Sequence, residues 1–298
     1  MMKNALLGCA ALTATGSVVQ GQDASSANAI YSGGAPWGNV LGWQLGSQTW
    51  TFYSITLEET IKKIASLGLR IMESGPISQK IRPDTDFFVN VAMTKPQRNL
   101  IRTLLADNDM ALPSFGGVDI TSQAMEFALD MGIGTLMAEP PYEQLPEVDK
   151  LAQEYGVNVA IHNHPATSEL YPAPSLYADY RVTLERLKDL SPRIGVCLDT
   201  GHFRRSGFDP VDAVRALKGR IITVHLKDLS KKEPGPDCYD VPWGTGVCNI
   251  ASVLAELRKQ HFRGSIFAEY EHFREDTLME LGECARYFND QARRLSLE

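Results

Sequence analysis

Residues 194–219, IGVCLDTGHFRRSGFDPVDAVRALKG, contain one complete unit of the pattern that decides the fold. An apolar run, typical of a buried strand, ends at the charged residue Asp199, and His202 follows shortly afterwards. A segment of helical length comes next, and its Asp209–Pro210 start is typical of a helix N-terminus. The stretch therefore predicts a buried strand, a loop that carries polar groups, and a helix.

The same unit recurs from about residue 40 to the C-terminus, and eight copies can be distinguished. Strand-like apolar runs occupy residues 43–50, 69–74, 110–116, 134–140, 157–165, 194–202, 220–228 and 264–272. Segments of helical length follow them at residues 56–68, 96–108, 121–132, 143–156, 175–190, 209–219, 249–260 and about 275–295. Gly68, Gly132 and Gly156 each stand at the end of a helical segment, which is typical of a helix C-cap.

Eight strand–helix units over about 250 residues predict a single closed (β/α)₈ barrel of the TIM type, and we assign residues 39–298 to it. The alternative is a doubly wound open sheet, which requires a glycine-rich phosphate-binding loop after the first strand. The corresponding stretch, GSQTWTFYS at residues 46–54, does not have that form. The sequence gives no indication of a second domain.

Composition excludes some classes of partner. The chain of 298 residues has a formal net charge of −7, so it has no long-range attraction for nucleic acid or anionic membranes. Its five cysteines contain no CxxC pair and form neither a zinc ribbon nor a regular disulfide framework. A Cys238–Cys248 bridge stays open as an alternative in an oxidising compartment.

The N-terminus differs from the rest of the chain. Residues 1–22, MMKNALLGCAALTATGSVVQGQ, have one lysine followed by a short run of apolar and small residues, as in a secretory signal peptide. Residues 23–38 are predicted to be a flexible linker. The apolar run is too short to span a bilayer, so we predict a periplasmic or secreted protein without a membrane span.

Charged and imidazole side chains collect at the C-terminal ends of the predicted strands, which share one mouth in a closed barrel. Five of the six histidines are among them. The set comprises Glu73, Glu139, His162, His164, Asp199, His202, His225, Lys227, Asp228, Glu269, Glu271 and His272. One such residue is commonly a turn former, and Asp199 or Thr200 is also a candidate cap of a short helix. Together they predict a functional site.

The chemistry of this set favours a divalent metal ion. Carboxylates gathered in one mouth repel each other unless a cation or protons neutralise them. Two carboxylates with one or two imidazoles suit Mn, Co, Zn or Mg. Cys197 lies inside its strand and not at the mouth, so a thiolate-rich zinc site is not indicated. Asp199 is therefore a predicted metal ligand, with His202 as its neighbour.

Five motifs carry a resemblance to a known family. They are AIHNHP (160–165), VCLDTGHFRRSG (196–207), VHLKDL (224–229), VPWGTGVCNI (241–250) and FAEYEH (267–272). In this order they resemble the xylose isomerase-like barrel superfamily, from about residue 43 to the end of the chain. That group includes sugar and sugar-phosphate isomerases and epimerases, inosose dehydratases and relatives of AP endonucleases. The resemblance implies that Asp199, His225 and Glu269 are metal ligands and that His202 touches substrate.

The fourth ligand departs from the family pattern. Relatives read ENHP where this chain reads HNHP, so His162 occupies the position of a ligating glutamate. Glu139, in MAEPP on the neighbouring strand, is the carboxylate closest to that position. Either Glu139 ligates and His162 lies close to the metal or acts as acid/base, or the two roles are reversed. We favour Glu139 as the ligand.

The resemblance implies the reaction class. The combination of EP, IHNH and DTGH with an export signal also resembles bacterial enzymes that act on 3-keto-glycosides. We expect proton abstraction next to the carbonyl of an unphosphorylated keto-sugar or 3-keto-glycoside, leading to isomerisation, epimerisation or elimination. The candidate acid/base groups are His162, His164 and Glu271, and Lys227 and His202 would orient substrate oxygens.

Several alternatives accompany this expectation. Trp243 either offers a flat face to a sugar ring or packs its loop, and Arg204 and Arg205 either bind phosphate or are solvated in an exposed loop. An AP-endonuclease-like hydrolase would need a multi-zinc cluster with further histidines, which the second and third strands lack. A non-catalytic sugar-binding barrel would follow if His162 impaired the metal site. The expected partner is a small carbohydrate, and the acidic surface permits a homodimer.

Overall fold

In the computed structural model, eight parallel strands form a closed barrel in chain order. The structure describes residues 30–77, 79–166, 175–232 and 237–298. The strands are β1 (Trp43–Gln48), β2 (Ile71–Ser74), β3 (Ala111–Gly116), β4 (Thr135–Ala138), β5 (Asn158–His162), β6 (Ile194–Asp199), β7 (Ile221–Leu226) and β8 (Gly264–Ala268). Because β8 pairs with β1, the sheet has no free edge, and the predicted (β/α)₈ barrel is confirmed.

Helices surround the barrel, and this explains the apolar strand sequences. Strand β6 is buried along its whole length because a parallel barrel is covered on both faces. The helices in the described residues are α1 (Pro36–Leu41), α2 (Leu57–Ser66), α3 (Lys95–Asp107), α4 (Ser122–Met131), α5 (Leu145–Tyr155), α6 (Tyr180–Leu187), α7 (Thr200–Arg205), α8 (Pro210–Ala216), α9 (Ile250–Lys259) and α10 (Thr277–Ser296).

Helix boundaries follow local sequence signals. Thr56 and Glu59 form a capping box at the start of α2, in which each side chain accepts from the backbone N–H of the other. Gly132 and Gly156 end α4 and α5 with positive φ angles of 74° and 69°, as predicted. Glycine adopts this left-handed conformation without the steric cost that other residues incur.

The N-terminal segment contains one element that the sequence did not predict. Helix α1 begins at Pro36, within the segment predicted as a linker, and the Trp37 backbone N–H donates to Asn289 Oδ1 in α10 at 3.1 Å. The predicted signal peptide, residues 1–22, lies outside the described residues. In the part of the chain that the structure describes, every helix is too short or too polar to cross a bilayer.

Strands β5 and β6 end earlier than predicted, at His162 and Asp199, because the chain turns where the polar residues begin. Asp199 Oδ1 accepts the backbone N–H of His202 at 2.7 Å and caps α7. The other carboxylate oxygen, Oδ2, makes no contribution to the cap. The cap interpretation and the functional interpretation of Asp199 therefore apply to two different oxygens of the same side chain.

An apolar layer lies inside the barrel below the polar strand ends. It consists of the buried residues Met137, Ala160 and Cys197. The Cys238 and Cys248 thiols are free, so the alternative of a bridge between them is not realised.

Candidate active site

Asp199 Oδ2 lies at the centre of the polar cluster. Its neighbours are His162 Nε2 at 3.7 Å, His202 Nε2 at 3.6 Å and His225 Nδ1 at 3.9 Å. The side chain is fully buried, and Oδ2 has no hydrogen-bond partner among the described residues. These separations are too long for hydrogen bonds. They resemble the spacing of ligands on one cation, since two ligands each about 2 Å from a tetrahedral metal lie roughly 3.3 Å apart.

Glu269 completes this arrangement from the segment after β8. Its Oε2 lies 3.0 Å from His225 Nδ1 and 2.8 Å from Lys227 Nζ. One donor atom from each of four residues lies within 4.8 Å of the other three, and we call this group the inner cluster: His162, Asp199, His202 and Glu269. Its oxygen and nitrogen donors and its unpartnered Asp199 oxygen fit a divalent cation.

Lys227 supplies a positive charge beside the inner cluster. Its fully buried Nζ lies 3.2 Å from Asp199 Oδ2 and 2.9 Å from Glu271 Oε2, in addition to the Glu269 contact. Burial opposes the charged form, but these carboxylates outweigh it and hold the pKa of Lys227 well above its ordinary value. The side chain is therefore a permanent ammonium group.

His202 has the opposite electrostatic environment. Burial and the nearby cations Lys227 and Arg205 lower the pKa of His202 well below its ordinary value. Its imidazole is therefore neutral, with Nε2 3.1 Å from Lys227 Nζ. A neutral imidazole keeps a lone pair for a metal ion or a donor.

Glu139 lies on the other side of His162. Its Oε1 is 3.6 Å from His162 Nδ1 and in direct contact with His164 Nδ1, while Ser175 Oγ donates to Oε2 at 2.9 Å. Glu139, His162 and His164 form a second group of potential metal ligands, which we call the outer cluster. Burial opposes both shifts, yet Asp199 and Glu139 raise the pKa of His162 to about 10, and the imidazoles lower that of Glu139.

Glu271 is held by two cations. Lys227 Nζ and Arg205 Nη1 both contact its Oε2, at 2.9 and 3.1 Å. Arg205 Nη2 also lies 2.8 Å from Asp240 Oδ1, and Asp240 Oδ2 accepts the Glu271 backbone N–H at 2.7 Å. The interpretation of Arg205 as solvated in an exposed loop, or as a phosphate ligand, is therefore wrong, because carboxylates already occupy its guanidinium group.

Glu73 is the residue that sequence reasoning placed at a strand end without giving it a role. It is fully buried, with Oε1 2.6 Å from His225 Nε2, and Oε2 accepts from Ser114 Oγ. Glu73 thus fixes the ring of His225 and leaves Nδ1 toward Asp199 and Glu269. A carboxylate in a short strand covered on both faces needs a partner, and this was the available signal.

The structure brings the predicted residues together in a different grouping from the predicted ligand set. Asp199 and Glu269 share the inner cluster with His162 and His202, whereas His225 borders it and Glu139 belongs to the outer cluster. The remaining predicted residues lie around these clusters: His164 beside Glu139, and Lys227 and Glu271 beside Glu269.

Trp243 does not offer a face to a sugar ring. It is buried, with its ring centroid 6.3 Å from that of Phe288, so its packing interpretation is correct. Aromatic faces are instead exposed on the segments that follow β1 and β8. Trp50 stacks on Tyr53 at 5.0 Å, and Phe273 meets Tyr53 edge-on at 4.6 Å.

Two of the other strand-end residues have structural surroundings. The ring of His272 stacks on Tyr239 at 4.4 Å. The carboxylate of Asp228 accepts backbone N–H groups of the following loop, with Leu229 and Cys248 on Oδ1 and Gly244 and Gly246 on Oδ2. Asp228 therefore organises the loop that contains Trp243.

We expect the Asp228→Asn variant to lose about 2–4 kcal/mol of unfolding free energy, because the amide group turns a donor toward N–H groups that need an acceptor. Metal content should not change. Urea denaturation measures the loss. Asp237→Asn is the matched control, since this exposed carboxylate of the same loop pairs with Lys231. Equal stability of the two variants would contradict the role assigned to Asp228.

Comparison with known proteins places this geometry in a family. The family described as "Xylose isomerase-like TIM barrel" matches residues 61–287. A solved structure of an uncharacterized protein from Parabacteroides distasonis is 31% identical, with a TM-score of 0.63 over 83% of this chain and 98% of that one. A xylose isomerase-like barrel from Mycobacterium smegmatis, solved in complex with magnesium, has a TM-score of 0.68 at 13% identity over 86% of this chain and 98% of that one.

Curated relatives match a shorter stretch. An inosose dehydratase from Bacillus thuringiensis is 32% identical over 143 residues, which is 43% of this chain and 45% of the relative. The chain thus spans less than half the length of that relative. Because the family match covers most of the barrel and the eight strands close as that fold requires, the chain belongs to the xylose isomerase-like TIM barrel family.

Proposed function

We propose that this protein is a divalent-metal-dependent enzyme that removes a proton next to the carbonyl of an unphosphorylated keto-sugar or 3-keto-glycoside. The reaction would finish as an isomerisation, an epimerisation or an elimination. The observation that carries the proposal is the buried, unpartnered Asp199 Oδ2 with three imidazole nitrogens at 3.6–3.9 Å. Similarity to an inosose dehydratase supports a lyase or isomerase class.

The inner cluster would hold the cation through Asp199, Glu269, His162 and His202, and His225 is a further candidate through Nδ1. When bound there, a divalent ion would act as a Lewis acid and polarise the substrate carbonyl. Glu73 would keep the His225 ring in a fixed orientation by accepting at Nε2.

Glu271 is our candidate for the base that takes the proton. Both of its cationic neighbours contact Oε2, and in the described part of the chain Oε1 has no polar contact. Oε1 is therefore the oxygen that can accept a proton from substrate. Lys227, which remains protonated, lies between Glu271 and Glu269 and would stabilise the negative charge that develops on the substrate oxygen.

His202 and the exposed aromatic residues would orient a sugar. Neutral His202 can accept from a hydroxyl group, and Trp50, Tyr53 and Phe273 offer flat faces. The cations beside the site are engaged by carboxylates, which favours an unphosphorylated substrate. We also propose, from residues 1–22, that the chain is exported.

We expect Phe273→Ala to raise KM about 2- to 10-fold with a small change in kcat, because an aromatic contact contributes about 0.5–1.5 kcal/mol to binding. Steady-state kinetics on a turned-over glycoside measures the effect. The control is Leu129→Ala, an exposed apolar residue on α4. An unchanged KM, or an equal change in the control, would contradict the aromatic subsite.

The reaction itself is tested by NMR with a panel of keto-sugars, 3-keto-glycosides and an inosose. We expect metal-dependent turnover of at least one compound, and the product distinguishes isomerisation, epimerisation and elimination. Glu271→Gln should lower kcat by about 10²–10⁴-fold because it removes the base. Turnover that chelator does not affect, or full activity of Glu271→Gln, would contradict the mechanism.

A further inference from the structure

His162 faces two carboxylates with its two ring nitrogens. Nε2 lies 3.7 Å from Asp199 Oδ2, and Nδ1 lies 3.6 Å from Glu139 Oε1. Both nitrogens are buried, and neither has a hydrogen-bond partner within the described ranges. Because both distances exceed a hydrogen bond by a similar amount, the ring is placed between two groups without being bonded to either.

The outer cluster has the donors of a metal site in its own right. Glu139, His162 and His164 each place one donor atom within 4.8 Å of the other two. Ser175 holds Glu139 Oε2 at 2.9 Å, so that Oε1 is the oxygen turned toward the imidazoles. The side chains of Glu139 and His164 are 27% and 24% exposed, whereas Asp199 is fully buried.

We propose that the outer cluster is a second divalent-cation position, adjacent to the inner position and sharing His162 with it. The inference deepens the proposed function, because the inner cluster is the first position. The partial exposure of Glu139 and His164 leaves room for a water molecule or a substrate oxygen on the second cation. Two imidazoles among three donors favour Zn²⁺ or Co²⁺ over Mg²⁺.

Occupancy of both positions has a proton balance. With one cation bound, His162 ligates through one nitrogen and keeps a proton on the other, which faces a carboxylate. With both bound, that remaining N–H proton must leave for solvent, and the ring becomes an imidazolate between the cations. Binding of the second cation should therefore release a proton from His162, and it should weaken as the pH falls.

The test counts metal ions. The chelator-treated full-length protein is titrated with Zn²⁺ by calorimetry, and bound zinc per chain is measured by mass spectrometry after desalting. We expect two equivalents for the wild type and one for both Glu139→Gln and His164→Gln. The control, His272→Gln, should keep two, because His272 stacks on Tyr239 outside both clusters. Circular dichroism verifies that each variant is folded.

The outcomes separate the two proposals. One equivalent in the wild type that Asp199→Asn removes, and that Glu139→Gln leaves in place, would overturn the second position and leave the inner position intact. No bound metal would overturn both. Two equivalents that persist in Glu139→Gln and His164→Gln would also overturn the outer cluster as the second position. The visible spectrum of the Co²⁺-loaded protein, which should change in both outer-cluster variants, is a readout independent of turnover.

Discussion

Replacing Asp199 with asparagine is expected to remove tight metal binding and to lower kcat/KM by at least about 10³-fold, roughly 4 kcal/mol of transition-state stabilisation. Asparagine keeps an Oδ1 that can accept the His202 N–H, so the cap of α7 survives. What disappears is the charge on Oδ2, which the three imidazoles surround. Metal analysis and steady-state kinetics measure the two effects.

The matched control is Asp209→Asn. Asp209 also caps a helix, α8, by accepting the Val211 N–H at 2.9 Å, but it lies outside both clusters. We expect full metal content and near-normal activity for this variant. If Asp199→Asn retained metal and activity like the control, Asp199 would be a helix cap and nothing more.

Replacing Lys227 with methionine is expected to lower the unfolding free energy of the metal-free protein by about 3–5 kcal/mol, because it leaves buried carboxylates without their cation. Asp199, Glu269 and Glu271 all contact the Lys227 ammonium group. A divalent cation bound to Asp199 and Glu269 would replace part of that charge. Added Zn²⁺ or Co²⁺ should therefore raise the Tm of the variant more than that of the wild type.

Activity of Lys227→Met should remain low even after metal restores its stability, since the ammonium group would also act on the substrate oxygen. Lys62→Met is the control, because Lys62 forms an exposed pair with Glu58 and should change stability by less than about 0.5 kcal/mol. A Lys227→Met variant that is as stable as this control without metal would contradict the charge balance described for the site.

The barrel could be predicted because its periodicity is local. Each apolar run must be buried on both faces and each amphipathic segment on one, so eight repeats leave few arrangements. The convergence of Asp199, His202 and Glu269 also follows from chain position, because parallel strands end at the same mouth. Helix α1 was missed because its stability depends on a contact with Asn289, far away in the chain.

The details of the site depend on side-chain partners that a single sequence does not specify. Arg205 was expected at the surface, but Asp240 and Glu271, which come from distant segments, hold it among carboxylates. Trp243 and Asp228 belong to the packing of their own loop, which is decided by four backbone N–H groups rather than by residue type. Glu73 acts on His225 across the barrel, and spacing along the chain does not indicate that contact.

Hydrogen–deuterium exchange at carbon tests the central claim most directly. The metal-loaded protein is incubated in D₂O with the keto-sugar or 3-keto-glycoside panel, and NMR follows deuterium at the carbon next to the carbonyl. We predict incorporation, or release of the aglycone, that stops with chelator and in Asp199→Asn but continues in Asp209→Asn. Metal-loaded protein that neither exchanges nor converts any member of the panel would contradict proton abstraction at this site.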